Sequence, residues 1–451
     1  MSITLRQQPT SPNMANADLL WEVSSNQIAQ PQYQFVVDVF ESGSATLIQR
    51  VKQQPNPSGY GVFNLRQILS YQLESDGVWK TQGYATSSVC NKDFIVKFGE
   101  EYGTSVSSSV VLYDGDGSPG APNKTGSSFY TITDGLVEPN SGGWNFPSQS
   151  FYYPTNVPTA GVFNFDKTNA LTDSPLTKSV QDGEYETISI YNGNFSSSSD
   201  TAQDVYYSQV NVYNSAGSNI QNFGYYNIKS EGGGPRTTNV QEWYEIYNSQ
   251  SAETRLLHLG VGPQNFADDG NTLNTNWAYY KVSVLSQESA GIEDTQAIYD
   301  SRVYTKQNPQ CIDDGVRFAW KNEYGVWDYF TATLATAQTS TMERLDYEQT
   351  FVPYNTSTTA VNYDITRRGT NPFNTKITQD KTANSDWLTQ EYADWLMELF
   401  YSTNVYVQDG SNFVPVVITN ASVVEKTNPR SQKLYNYAIT YRLANQPRSR
   451  F

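Results

Sequence analysis

A single histidine, His258, limits what this 451-residue chain can do by acid–base or metal chemistry. Any Ser-His-Asp, Cys-His or multi-histidine mechanism must run through that one residue. It sits in Arg255-Leu256-Leu257-His258-Leu259-Gly260, a strand-like context that favours a packed histidine. The two cysteines, Cys90 and Cys311, lie far apart and make neither a metal nor a redox spacing. Asp114-Gly115-Asp116-Gly117, Asp268-Asp269-Gly270-Asn271 and Asp313-Asp314-Gly315 place oxygen ligands as calcium loops do, yet none runs into the twelve-residue pattern with its distal Glu, and turn chemistry accounts for them equally. A glycosidase needs two carboxylates about 5–10 Å apart. Glu242, Glu245 and Asp300 are available, but spacing along the chain does not pair them. Glu231-Gly232-Gly233-Gly234-Pro235-Arg236 lacks the Lys-Ser/Thr of a phosphate loop, and Pro235 removes an amide donor. These residues predict a protein that is not an enzyme, with no catalytic, cofactor-binding or metal site.

The elements that would position such groups are strands. Charged residues are 16% of the chain against about 25% in typical soluble domains, and Tyr, Asn, Gln, Ser and Thr take their place. Tyr and Thr suit half-buried pleated positions, while Asn, Gly and Ser suit the turns between them. The expected fold is mainly β and multidomain: two immunoglobulin- or fibronectin-like β-sandwiches followed by a C-terminal α+β module with one clear helix. Residues 1–131 form the first sandwich, with Tyr33, Phe35, Val37 and Val39 on one strand face. Residues 132–175, rich in Gly, Pro, Ser and aromatics, read as an extended strap. Residues 176–306 form the second sandwich, with strands at Thr187–Tyr191, Val205–Tyr213, Glu242–Tyr247, Arg255–Leu259 and Ala278–Leu285. Both faces of Val205–Tyr213 are mixed, and the loops holding Gly232 and Asp268 read as long and mobile.

The module over 307–451 opens with a hairpin. Val316, Phe318 and Trp320 alternate with Arg317, Ala319 and Lys321, Asn322-Glu323-Tyr324-Gly325 supplies the turn, and Val326 to Thr331 returns. After Ser385, apolar residues Trp387, Leu388, Tyr392, Trp395, Leu396, Leu399 and Phe400 recur at helical steps, with Asp386 placed to suit the helix dipole. Asn404–Gln408, Phe413–Thr419 and Tyr435–Leu443 are the strands beneath it.

Charge points to partners. The net charge, 29 − 45 = −16, disfavours direct nucleic-acid binding. From Glu425 to Phe451, six bases (Lys426, Arg430, Lys433, Arg442, Arg448 and Arg450) face one acid, leaving about −21 on the rest. A basic end on an acidic body suits head-to-tail contact between subunits or with an acidic neighbour. Lys321, Arg442, Arg448 and Arg450 are the candidate interface residues. Met1-Ser2-Ile3-Thr4-Leu5-Arg6 has no apolar signal core and no run approaches a membrane span, so no export signal and no membrane crossing are expected.

The hairpin also carries a resemblance. Cys311 to Phe330, with its aromatic strand, Asn-x-x-Gly turn and aromatic-Asp-aromatic strand, resembles a segment of β-rich virion structural proteins of tailed bacteriophages, of the Bacteroidetes-phage or crAss-like type. Pro31–Phe40 with Gly61-Val62-Phe63-Asn64-Leu65, and Ile95–Tyr102, resemble the opening sandwich of those proteins. Tyr153–Pro158 and Asp166–Leu171 resemble a middle segment, and Val405–Tyr441 a C-terminal module. The order matches along most of the chain, and the specificity lies in that order. Lys321 departs from the pattern, which has an apolar residue there. The resemblance implies a virion component of the tail, connector ring or baseplate, assembled in the host cytoplasm as a homo-oligomer in a ring or other symmetric assembly beside other virion proteins. The alternative is a receptor-binding or carbohydrate-binding tail protein, since exposed Trp and Tyr stack on sugars.

Overall fold

The computed structural model describes residues 3–9, 13–15, 18–41, 46–74, 77–86, 89–114, 118–119, 129–133, 170–191, 205–226, 256–289, 292–293, 301–307, 315–348, 354–355, 360–361, 369–420 and 434–445. The protein is mainly β, with several antiparallel sheets and three helices among the described residues. It divides into two compact units: Met1–Asn308 with Lys321–Tyr329, and Pro309–Trp320 with Phe330–Phe451.

In the first unit, the N-terminal sandwich packs a three-stranded sheet (Ile3–Gln7, Leu20–Ser25, Tyr60–Asn64) against a larger one built on Gln34–Glu41 and Asn91–Tyr102. Tyr33, Phe35, Val37 and Val39 enter its core as the alternation predicts, meeting Phe94, Val96 and Phe98 from the neighbouring strand. Burying a side chain such as Phe98 contributes about 1.5–3 kcal/mol. The intervening positions are closed too: Val36 and Asp38 are buried, and Asp38 receives two hydrogen bonds from Arg50 directly opposite it, at 2.7 Å each.

The second core lies between a sheet that includes Thr177–Val180, Arg302–Lys306, Tyr279–Ser289, Val205–Tyr213 and Asn219–Tyr226 and a small sheet of Thr187–Tyr191, Leu256–Gly260 and Tyr84–Thr86. The last strand comes from the N-terminal third of the chain and pairs antiparallel with Leu257–Leu259. Val205–Tyr213 differs from the mixed-face expectation: Ser208, Val210 and Val212 are buried, and the alternate positions from Tyr207 to Tyr213 are half-exposed. The loop around Asp268 differs as well. Pro263–Asp268 is a short helix, Pro at its start supplying a preset φ, and Gly270 at φ +81° turns the chain out of it.

Most of the second unit's strands belong to a seven-stranded sheet whose order runs Trp327–Ala332, Val316–Lys321, Val405–Asp409, Asn412–Ile418, Ala438–Leu443, Thr370–Asn384, Leu334–Glu348. Gly325 at φ +80° makes the hairpin turn, a conformation that glycine adopts without a Cβ clash. The long helix spans Gln390–Tyr401 and buries Ala393, Trp395, Leu396, Met397 and Leu399. Trp395 meets Trp320 with ring centroids 4.9 Å apart. The helix begins later than its periodicity suggests. Leu388 exchanges two backbone hydrogen bonds with Tyr435, at 2.7 and 2.9 Å, which holds it extended; Trp387 is left 64% exposed, and the Asp386 carboxylate accepts from the Trp387 amide instead of facing the helix end. Among the described residues no helix is long and apolar enough to cross a membrane.

Candidate assembly surfaces and buried polar sites

Three groups capable of acid–base or nucleophilic chemistry lie together, buried, in the first unit. His258 lies directly opposite Ser189 in the ladder, its Nδ1 2.8 Å from Ser189 Oγ and its Nε2 3.9 Å from Cys90 Sγ. All three residues are at most 3% exposed. His258 lies on a central strand, paired with Ser189 on one side and Ala85 on the other.

The aspartate loops are held by protein donors. The Asp268 carboxylate accepts from Tyr185 Oη at 2.7 Å and Gln264 Nε2 at 2.6 Å, and Asp269 accepts from Asn271 Nδ2 at 3.2 Å. Burial raises the Asp269 carboxyl above its ordinary range. Burial, with the Asp268 carboxylate beside it, pushes the Tyr185 phenol up to about 12. Asp114 closes its own loop, accepting from the Ser118 amide at 3.2 Å while its amide donates to the Ser118 carbonyl at 2.8 Å. Gly115, Asp116, Gly117, Cys311, Asp313, Asp314, Glu242, Glu245, Asp300 and residues 231–236 lie outside the described residues.

Several charged groups that pattern alone did not single out are buried in the same unit. Glu100 is 0% exposed and accepts from Ser25 Oγ at 2.6 Å and Tyr33 Oη at 2.9 Å. It shares strand parity with the core residues Phe94, Val96 and Phe98, so the alternation within Ile95–Tyr102 was a usable signal. Lys178 and Glu186 form a buried ion pair, both side chains at most 5% exposed. Arg302 is buried and donates to Ser174 Oγ at 2.6 Å.

The hairpin tip is anchored by polar contacts inside the first unit. Asn322 Nδ2 donates to the Leu171 carbonyl at 2.9 Å and to Asp328 at 3.2 Å, while its Oδ1 accepts from the amides of Tyr324 and Val326. Thr172 Oγ1 donates to Asp328 at 2.7 Å, Tyr324 Oη donates to Asp173 at 3.1 Å, and the Trp79 and Trp327 rings meet edge to face at 5.0 Å. Neighbouring carboxylates add to burial in pushing the Tyr324 phenol far above its ordinary value.

Of the candidate interface residues, Lys321 is half-buried at the end of the first hairpin strand. Arg442 faces its own chain: Nε and Nη2 donate to the two Asp380 oxygens at 2.8 and 3.2 Å, and that hydrogen bonding raises the guanidinium's pKa. Arg448 and Arg450 lie outside the described residues.

The surface that pattern reading passed over is a ribbon in the second unit. Leu334–Glu348 and Thr370–Asn384, 15 residues each, pair antiparallel along their length. At about 3.3 Å per residue the ribbon is roughly 50 Å long. Ala438–Leu443 supports only its base, pairing with Lys381–Asn384. Beyond that the ribbon carries Met342, Leu345, Tyr347 and Phe373 at 54, 56, 47 and 61% exposure. Beyond its base the ribbon is two-stranded among the described residues, an arrangement that is marginal in water when it stands alone.

No family model matches the chain, and no curated protein matches it. Among solved structures it is similar to the Bacillus anthracis TIE protein at a TM-score of 0.15 and 6% identity, covering 74% of this chain and 68% of that one, a likeness too slight to carry fold or function.

Proposed function

We propose that the chain is a non-enzymatic structural protein of a tailed-phage virion, a component of its tail, connector ring or baseplate, assembled in the host cytoplasm through subunit contacts. The exposed ribbon carries this proposal: a long, weakly charged pair of strands with apolar side chains in solvent is suited to another protein's surface. The family resemblance along the chain supports the same reading, as does the closure of His258, Ser189 and Cys90 from solvent. The basic C-terminal end docks on an acidic neighbour. Imaging of the purified chain by negative stain is expected to show a closed ring or other symmetric particle, and deletion of Gln446–Phe451 is expected to weaken assembly while the far-UV spectrum is kept. Particles that form equally well without those residues across a salt series would refute the docking role. Release of reducing ends from a host polysaccharide would refute the non-enzymatic reading.

Receptor or carbohydrate binding is the second reading, favoured by Trp387 and Tyr401 at 64 and 69% exposure. Glycan-array binding lost in Trp387→Ala would establish it over the first.

A further inference from the structure

The seven-stranded sheet has two edges, and they are unlike. Trp327–Ala332 is buried at every residue, whereas Leu334–Glu348 is exposed at 14 of its 15 residues and pairs on one side only among the described residues. Exposed edges are ordinarily short or blunted by proline, bulges or charge. This edge has no proline, and Ala335 to Met342 is without charge. A bulge between Leu334 and Ala337 breaks the ladder at one end and a register shift between Leu345 and Asp346, where Phe373 of the partner strand is passed over, interrupts it at the other; from Ala337 to Leu345 the register is regular. The 11 residues Ala337–Tyr347 are centred on Met342.

We propose that two copies of the chain pair antiparallel along this edge, about a two-fold axis at Met342, so that their sheets become continuous. The proposal deepens the assembly reading by naming a second copy as the ribbon's partner, and it rests on that reading for its biological setting. Three features select this occupant. The buried opposite edge cannot receive the exposed one from a neighbour, so head-to-tail extension of the sheet is closed and the same edge must serve both copies. The two ribbon strands hold four acids (Glu343, Asp346, Glu348, Asp380) against three bases (Arg344, Lys376, Lys381), a net −1 in a chain of −16; here two acidic molecules can approach with little repulsion. The register is also compatible with itself. Met342 would oppose its own counterpart, and because Met342 pairs with Ile377 within each ribbon, four apolar side chains would form one row across the joined sheet. In the same register Glu343 opposes Thr341, Arg344 opposes Ser340, Leu345 opposes Thr339 and Asp346 opposes Gln338, so no like charges meet.

The test is charge reversal at the axis in the full chain. Met342→Lys and Met342→Glu each place two like charges opposite one another in a homodimer and opposite charges in a mixed dimer. Light scattering on gel filtration is expected to give a two-fold particle for the wild type, weakening of its self-association by at least about tenfold in either variant, and recovery on mixing the two. Thermal melts of the variants at wild-type temperature would show that the fold is intact. A wild-type protein that stays monomeric at high micromolar concentration overturns the pairing. Self-association that both variants keep unchanged overturns this edge as the contact, while the assembly reading stands on its own imaging test.

Discussion

Tyr33 donates its phenolic proton to Glu100 at 2.9 Å within the core of the N-terminal sandwich, where Glu100 is wholly buried and Tyr33 is 6% exposed. The acid lies on the inward parity of its strand, beside Phe98 and Val96. Ser25 and Tyr33 both donate to one of its oxygens, Oε2, in place of water, while Oε1 is buried without a hydrogen-bond partner among the described residues.

Tyr33→Phe removes one of those donors and should cost about 1–3 kcal/mol in urea unfolding. Burial, first of all, raises the Tyr33 phenol far above its ordinary value; Tyr225 and Tyr324 are raised in the same way, and Tyr185 reaches about 12. In the unfolded chain these phenols ionise near pH 10. Their folded-state pKa values are raised, so their contribution is whole below about pH 10 and is lost as pH rises toward the folded values. Alkaline titration followed by tyrosinate absorbance should therefore show a late group of tyrosines that ionises together with loss of far-UV signal. A single smooth titration of all 33 tyrosines with the fold intact would contradict it.

The Lys178–Glu186 pair gives a test of buried charge. Lys178→Met alone leaves a carboxylate without its cation and is expected to destabilise by about 3–5 kcal/mol. Adding Glu186→Leu should recover much of that loss, because two well-packed apolar side chains replace a pair whose desolvation offsets its attraction. Chemical denaturation of both variants and the double variant completes the cycle. Additive losses would show that the two side chains are not coupled.

Asn322 fastens the hairpin tip through both ends of its amide. Asn322→Ala should cost about 1–3 kcal/mol by leaving the Leu171 carbonyl and the turn amides without their partner. Gly325→Ala should cost about 1–2 kcal/mol by a different route, the left-handed backbone at φ +80°. Denaturation midpoints equal to the wild type in both variants would show that the tip is not anchored as described.

Pattern was enough for much of the fold. Thr187–Tyr191 and Val205–Tyr213 form strands at the expected residues, and the hairpin turns at Asn322–Gly325 as its residues require. These features are local: period-two alternation, a glycine free to take positive φ, and turn-forming Asn act within a few residues of themselves. The start of the long helix was misplaced because Leu388 answers to Tyr435, 47 residues away in sequence, and not to its own periodicity.

Composition and one-dimensional pattern thus settled that the chain is mainly β, where many strands lie and that one clear helix closes the C-terminal part. Tertiary structure decided which charges are used up inside and which surface is left over. Arg442, free by sequence, is taken by Asp380, whereas the unremarkable Thr-rich stretch around Met342 becomes an exposed edge strand among the described residues. Both outcomes depend on strand order, since a strand's pattern states which residues can face a neighbour and only the assembled sheet decides whether a neighbour is there.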